Sequence, residues 1–171
     1  MGKIVLILGG ARSGKSTFAL SLAKKRKKVA FLATCQALDK EMEDRISRHQ
    51  RSRPASWRTF EETRAVASRL SKMGNGFDCI IIDCLTLLIS NLILSGNNDN
   101  EILKEMASIM NNLKTKKAKT IIVSNEVGLG IVPKNKLARN FRDIAGKVNQ
   151  LVAKAADEVY FSVSGIPTKI K

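Results

Sequence analysis

Eight consecutive residues, Gly9, Gly10, Ala11, Arg12, Ser13, Gly14, Lys15 and Ser16, match the pattern G-x-x-x-x-G-K-[ST] without a mismatch. Each residue type has a chemical task. Glycine permits positive φ and a close backbone approach, so successive N–H groups can surround a phosphate. Lys15 brings an ammonium to the β- and γ-phosphates, and the Ser16 hydroxyl suits Mg²⁺. The flanking chain fits the motif. Ile4–Leu8 is an aliphatic run of the kind buried on both faces of a sheet, and Phe18 and Leu22 begin a helical pattern. The positive end of that helix then faces the same phosphates. These residues predict a bound nucleoside triphosphate.

Two further positions could do chemistry. Asp83 closes the run Cys79–Asp83, CIIID. An acidic residue at the carboxyl tip of a buried strand is the expected Mg²⁺ or water partner of a phosphate loop; the plainer role is a helix N-cap. His49 is the only histidine, and Arg45, Arg48, Arg51, Arg53 and Arg58 surround it in sequence. Guanidinium groups suit bidentate phosphate contacts. The residue pattern leaves two readings of His49. One is a half-buried histidine on the edge of the apolar side marked by Met42 and Ile46. The other is a nucleophilic imidazole for nucleotidyl transfer through a covalent intermediate.

The elements that must position these groups alternate between strand and helix from end to end. Strands are expected at Val29–Ala33, running into Thr34 and Cys35, at Trp57–Phe60, Cys79–Asp83, Thr120–Val123 and Val159–Val163. Asp39 is placed as N-cap of a helix through about Arg51, with Glu41/Arg45 and Asp44/Arg48 as i,i+4 pairs. Pro54 ends it. Further helices are expected over about Glu61–Met73, Leu85–Leu94 and Asn100–Lys116. The longest is Leu137–Ala156, with Leu137, Phe141, Ile144, Val148, Leu151, Val152 and Ala155 on one apolar stripe. Ile166–Ile170 is expected to pair with the preceding strand as an antiparallel edge hairpin around Gly165. The fold class that follows is α/β, a doubly wound and mostly parallel sheet with helices on both faces. In such sheets ligands sit at the carboxyl ends of the strands. That rule gathers Gly9–Ser16, Thr34, Cys35, Asp83 and Ser124-Asn125-Glu126 on one rim.

Composition sets the bounds. The 171 residues are expected to form a single domain, 1–171, and the 44% hydrophobic and 26% charged content is that of a globular protein. The formal charge of +15 makes nucleic acid the first partner to weigh and anionic small substrates the second. Aromatic residues are only 5%, which argues against stacking platforms for single strands. Much of the excess lies in Lys24–Lys28 and Lys114–Lys119, which read as a solvated face, so no nucleic-acid partner is expected. Cys35, Cys79 and Cys84 form no C-x-x-C pair and are expected as reduced thiols. The run Ile80–Leu94 is broken by Asp83 and Asn91 and is too short to span a bilayer. A cytoplasmic protein without a membrane span is expected.

Several of these stretches together carry a resemblance. They are GGARSGKS, the run Asp39-x-Glu41-Met42 with Arg45-Ile46 and His49, and Arg53-Pro54-x-x-Trp57-x-Thr59-x-Glu61. Asp83-Cys84-Leu85-Thr86-Leu87, SNEVGLGIVP (Ser124–Pro133) and LARNFRDIAGKVNQ (Leu137–Gln150) complete them. In this order, over nearly the whole chain, they resemble the bifunctional adenosylcobinamide kinase/adenosylcobinamide-phosphate guanylyltransferases of cobalamin biosynthesis. The resemblance implies a RecA-like phosphate-loop fold and a propeller-like homotrimer. It implies phosphorylation of the aminopropanol hydroxyl of adenosylcobinamide by ATP or GTP, with Mg²⁺. Transfer of GMP from GTP to that phosphate would follow, giving adenosyl-GDP-cobinamide and pyrophosphate. The guanylylated histidine of the family falls on His49. The nucleotide contacts fall on Gly9–Ser16, on Ala33, Thr34 and Cys35, on Gln50, Arg51, Ser52 and Arg53, and on Glu61 and Asp83, with Ser16 and Asp83 toward the metal. Arg48 stands where some relatives carry a second histidine, and Asn97–Asn100 is short for the family.

Two other function classes are consistent with a phosphate loop. One is a RecA-type ATPase acting on nucleic acid, whose binding should fall steeply with salt. The other is a GTP-binding regulatory module, against which stands the absence of the guanine-reading N-K-x-D signature.

Overall fold

The computed structural model describes residues 2–36, 40–51 and 53–171, with the side chains of 41, 42, 45, 48 and 49 outside that description. The Asp39 cap, the Glu41/Arg45 and Asp44/Arg48 pairs and the placing of Met42 and His49 on one helix face fall outside the described residues.

The apolar runs form the sheet. β1 (Ile4–Gly9), β2 (Val29–Ala33), β4 (Cys79–Asp83) and β5 (Lys119–Val123) are buried almost throughout, as expected for strands covered on both faces. With β3 (Arg58–Glu61), β6 (Glu158–Val163) and β7 (Ile166–Lys169) they make one seven-stranded sheet in the order β3-β2-β4-β5-β1-β6-β7. Pairings are parallel except for β6 with β7. Alternation along each strand divides the core. Ile4, Leu6 and Leu8 share one core with Leu32, Ile80, Ile82 and Ile122. Val5 and Ile7 share the other with Phe31, Ile81 and Ile121.

Helices cover both faces. α1 (Lys15–Ala23) contributes Ala19 and Ala23 to the second core. α3 (Val66–Lys72), α4 (Leu85–Leu94), α5 (Asp99–Thr115) and α6 (Lys136–Ala155) pack on the first. The α6 stripe buries Ile144, Val148 and Val152, each burial stabilising by about 1.5–3 kcal/mol. α5 opens with a capping box, in which Asn98 accepts from the Glu101 N–H and Glu101 accepts from the Asn98 N–H. α2 (Lys40–Arg51) has the predicted extent. Among the described residues no helix is long and apolar enough to cross a membrane.

One boundary differs from expectation. The helix expected from about Glu61 begins only at Val66. Glu61 is held extended as the last residue of β3, opposite Ala33, and the Glu62 N–H donates to the Ala33 carbonyl at 3.0 Å. The Glu62 carboxylate then accepts from the N–H groups of Arg64 (3.0 Å) and Ala65 (2.9 Å), shaping a turn before the helix. Sheet pairing outweighs the helical preference of the sequence there.

Candidate active site

Register aligns the rim. Glu61 pairs with Ala33, Ala33 with Asp83, Asp83 with Val123 and Val123 with Ile7. Five residues from five strands therefore lie in one row, with neighbours about 4.8 Å apart. The phosphate loop starts two residues beyond Ile7, at the carboxyl end of the row. Residues that the chain separates by more than a hundred positions, Ile7 and Val123 among them, thus converge at the place the α/β rule assigns to ligands.

The loop is braced from the carboxyl-terminal hairpin. The Ser162 hydroxyl and the Gly165 N–H (3.1 Å) both donate to the Ser13 carbonyl. Gly9 has φ 149°, and a Cβ there would lie 2.3 Å from the Ser162 carbonyl oxygen. Gly14 has φ 87°, and its Cβ would lie 3.0 Å from the Gly165 Cα. Both conformations are open to glycine and strained for other residues. Gly14 also stands at the N-cap of α1 and provides no side-chain cap. The first-turn N–H groups are thereby left to an anion. Gly10, Ala11 and Arg12 lie exposed at the loop tip, while Ser13 is buried. Lys15 is only 7% exposed. Its ammonium donates to the Gly10 carbonyl and lies 3.4 Å from the Ser13 hydroxyl, curled over the loop it serves.

Ser16 lies in the first turn of α1, which packs over β5, β1 and β4. Its hydroxyl donates to Asp83 Oδ2 at 3.4 Å. Sheet order is what makes this contact informative. β5 lies between β1 and β4, so Asp83 is two strands from the loop's own strand, and α1 carries Ser16 across the gap. The N-cap of α4 is Cys84, not Asp83. A hydroxyl and a carboxylate converging beside a phosphate loop are hard oxygen donors of the kind Mg²⁺ takes, one or two from protein and the rest from phosphate and water.

The arginine-rich segment meets the rim at Arg53. Its guanidinium lies 3.5 Å above the Phe31 ring. Burial lowers its pKa from the ordinary value, opposed by the charges of Asp83 and then Glu61. Nε and Nη1 are buried and have no hydrogen-bond partner among the described residues. Two such donors on a cation held over a ring, beside the carboxylates of the rim, have the chemistry to take an anion. Gln50 and Arg51 are exposed, and Glu61 is exposed at the tip of β3. The side chain of His49 and all of Ser52 lie outside the described residues.

The segment Ala33–Cys35 holds the site together. The Thr34 hydroxyl donates to the Cys84 carbonyl (2.7 Å) and accepts from the Cys84 N–H (2.9 Å). Asn91 donates to the carbonyls of Thr34 (2.9 Å) and Thr63 (3.0 Å). Asn149 accepts from the Ser124 hydroxyl (2.8 Å) and donates to the Asn125 carbonyl (3.1 Å). The Asn125 amide donates to the Thr86 hydroxyl at 3.1 Å. This chain of buried polar groups locks together the ends of β2, β3, β4 and β5. Asn91, Asn149, Ser162 and Gly165 escape a reading of the sequence because nothing local distinguishes a bracing asparagine from a solvated one. An asparagine in the largely apolar run Leu85–Leu94 is the one available signal. Cys35, Cys79 and Cys84 are not joined by disulfides. Burial pushes the Cys79 and Cys84 thiols up to about 11, with Asp83 adding to the shift at Cys84, so neither is a thiolate nucleophile at neutral pH.

Among solved structures, the chain superposes on the RadB recombinase with a TM-score of 0.55 at 15% identity, over 94% of this chain and 74% of that one. It superposes on an ATPase of a bacterial type III secretion system with a TM-score of 0.59 at 12% identity, over 94% of this chain and 51% of that one. At such identity these likenesses show a RecA-like phosphate-loop fold and no more. Sequence relatives say more. The bifunctional adenosylcobalamin biosynthesis protein CobU of Salmonella typhimurium is 44% identical over 98% of this chain and 99% of its own length. The Escherichia coli protein of the same name is 40% identical over the same shares. CobP of Pseudomonas aeruginosa is 42% identical over 97% of this chain and 96% of its own. With residues 5–170 matched by that family's model, the chain belongs to the cobinamide kinase / cobinamide phosphate guanyltransferase family.

Proposed function

We propose that this one domain, residues 1–171, carries both family activities on adenosylcobinamide at the rim described above. In the kinase step the aminopropanol hydroxyl attacks the γ-phosphorus of ATP or GTP, and the nucleoside diphosphate leaves. Such a transfer needs positioning and charge neutralisation more than covalent help. Lys15, the N–H groups of Gly9–Ser16 and the first turn of α1 provide these. Ser16 and Asp83 would hold Mg²⁺, which supplies charge neutralisation on the phosphates.

In the guanylyl step, a ring nitrogen of His49 attacks the α-phosphorus of GTP and expels pyrophosphate, leaving GMP as a phosphoramidate. An oxygen of cobinamide phosphate then displaces the imidazole, giving adenosyl-GDP-cobinamide and the free histidine. The observation that carries this reading is Arg53, fixed over Phe31 beside Asp83 with two orphaned donors. It lies four residues beyond His49, and four residues of chain span at most about 14 Å. Gln50, Arg51, Ser52, Glu61 and Ala33–Cys35 complete the nucleotide surroundings in this proposal.

Assembly as a homotrimer belongs to the same reading. Leu129, Ile131 (96% exposed), Val132 and Leu137 lie exposed after β5 and at the start of α6, and Leu137 lines a groove of about 320 Å³ with Ile93, Leu94, Ala138 and Phe141. Exposed apolar surface of this kind suits contact between copies.

Incubation with GTP labelled at the α-phosphate tests the chemistry. Covalent label on His49 is expected, lost in acid and retained in alkali, because protonation of nitrogen weakens its bond to phosphorus. His49→Ala should form no adduct and no GDP-cobinamide while phosphorylation of cobinamide persists in part. Label mapped to Lys15, or full guanylyl transfer by the alanine variant, would sink the assignment.

A further inference from the structure

The end of the sheet opposite the nucleotide rim carries a feature that neither family activity uses. Two basic runs ninety residues apart, Lys24–Lys28 after α1 and Lys114–Lys119 at the exit of α5, meet at the amino ends of β2, β4 and β5. Backbone pairing brings them together. The Lys28 N–H donates to Asp78 Oδ2 (3.0 Å), the Asp78 N–H to the Lys28 carbonyl (2.8 Å), and the Lys119 N–H to the Asp78 carbonyl (3.0 Å). A cavity of about 390 Å³ opens between Lys25, Arg26, Lys27 and Lys117.

Most of these charges have no part in the fold. Lys116 does, since it is buried and donates to the Gly74 carbonyl at 3.0 Å. Lys114 alone sits in the last turn of a helix, where it complements the dipole. The last turn of α1 contains no basic residue; Lys24 is the C-cap of that helix through its backbone, and Lys25–Lys28 follow it. Leaving Lys116 aside, the two runs bring eight cationic side chains to this end of the sheet, against a formal charge of +15 for the whole chain, and Asp78 is the carboxylate that lines the cavity between them. Crowded like charges destabilise a compact chain unless a counter-charge meets them.

We infer that this face docks on the surface of an anionic phospholipid bilayer. Seven of the eight cations are lysines, point charges suited to a mobile array of headgroup phosphates, whereas base and phosphate readout in nucleic acid favours the arginine fork. No aromatic platform for stacked bases accompanies them. The one aromatic lining the cavity, Phe77, is half-buried and packs edge-on against Phe60 at 5.8 Å. Eight lysines and arginines fall at the top of the range that binds anionic lipid by charge alone. Strands of five or six residues separate the two ends of the sheet by about 17–20 Å, so docking leaves the phosphate loop facing away from the bilayer.

Co-sedimentation of the full chain with vesicles tests this. The chain should pellet at low salt with phosphatidylcholine vesicles containing roughly one quarter phosphatidylglycerol, should release as salt rises, and should ignore pure phosphatidylcholine. Each lysine contributes about fivefold, so Lys25→Glu, Lys27→Glu and Lys117→Glu together should weaken binding at least about a hundredfold. Nucleotide affinity should not change, which separates lost docking from lost folding. The same charge change made at Arg64, Lys104 and Lys147, exposed elsewhere, should leave most of the binding intact. Equal pelleting with neutral vesicles, no pelleting at low salt, or equal loss in the second triple variant would overturn the inference. So would tighter binding to short duplex DNA than to the anionic vesicles at the same salt.

Discussion

Replacing Arg53 by methionine should weaken nucleotide binding while leaving stability nearly unchanged. The guanidinium lies on Phe31 with Nε and Nη1 buried and without a hydrogen-bond partner among the described residues. A buried, half-satisfied cation is a poor contributor to stability, and a long apolar side chain of similar volume often replaces one at no loss. Methionine keeps contact with the Phe31 ring, while the lost cation–π attraction amounts to about 1–2 kcal/mol. The desolvation relieved is of the same size, so unfolding free energy should stay within about 1 kcal/mol. Binding is another matter. A nucleotide phosphate that takes both orphaned donors gains two charge-assisted hydrogen bonds, each worth about 1.5–3 kcal/mol. Allowing for imperfect geometry, the loss is about 2–4 kcal/mol, or roughly thirty- to a thousandfold in GTP affinity. Arg53→Lys should recover only part of it, because an ammonium cannot present the planar fork. Calorimetric titration with GTP, beside urea unfolding of the same samples, reads both numbers. Unchanged GTP affinity with a fall in stability of more than about 2 kcal/mol would show that Arg53 is a packing element and refute the argument.

Lys15→Ala should lower the kinase rate by at least about a hundredfold, the scale of a missing electrostatic stabiliser, and near-native turnover would remove the loop from the mechanism. Asp83→Asn should raise the Mg²⁺ concentration needed for turnover with the fold intact; a fall in melting temperature with an unchanged Mg²⁺ titration would make the contact with Ser16 structural only. Gly9→Ala forces a Cβ to within 2.3 Å of the Ser162 carbonyl. It should destabilise by on the order of 3 kcal/mol in urea titration and abolish nucleotide binding, whereas a change below about 0.5 kcal/mol would contradict the observed loop geometry. At the other end of the sheet, hydrogen bonds from Lys169 and Lys3 (both 2.8 Å) hold the Glu158 carboxyl down at about 2. A depressed carboxyl stabilises the fold above its unfolded pKa of about 4.3 and loses that contribution as pH falls toward 2. Glu158→Gln should therefore flatten the decline in melting temperature over that acid window, and parallel curves for the two proteins would contradict it.

The loop and its place between β1 and α1 were readable without coordinates because the motif is written in consecutive residues. A phosphate loop needs positive φ, bare N–H groups, an ammonium and a hydroxyl within one turn of chain, so Gly9–Ser16 declares itself, as does the buried strand Cys79–Asp83 ending in an acid. The same holds for the aliphatic runs, whose burial on both faces requires a parallel α/β sheet, and for the α6 stripe, whose spacing is the helical period. What the linear order could not supply is which strand lies beside which. Insertion of β5 between β1 and β4 decides that Ser16 reaches Asp83 across a neighbour, and the row from Glu61 to Ile7 exists only through cross-strand register. The stacking of Arg53 on Phe31, the bracing of Ser13 by Ser162 and Gly165, and the joining of Lys24–Lys28 to Lys114–Lys119 have the same origin. These are contacts between residues distant in the chain. Their energies depend on distance and burial in space, and a sequence specifies those only once it has folded.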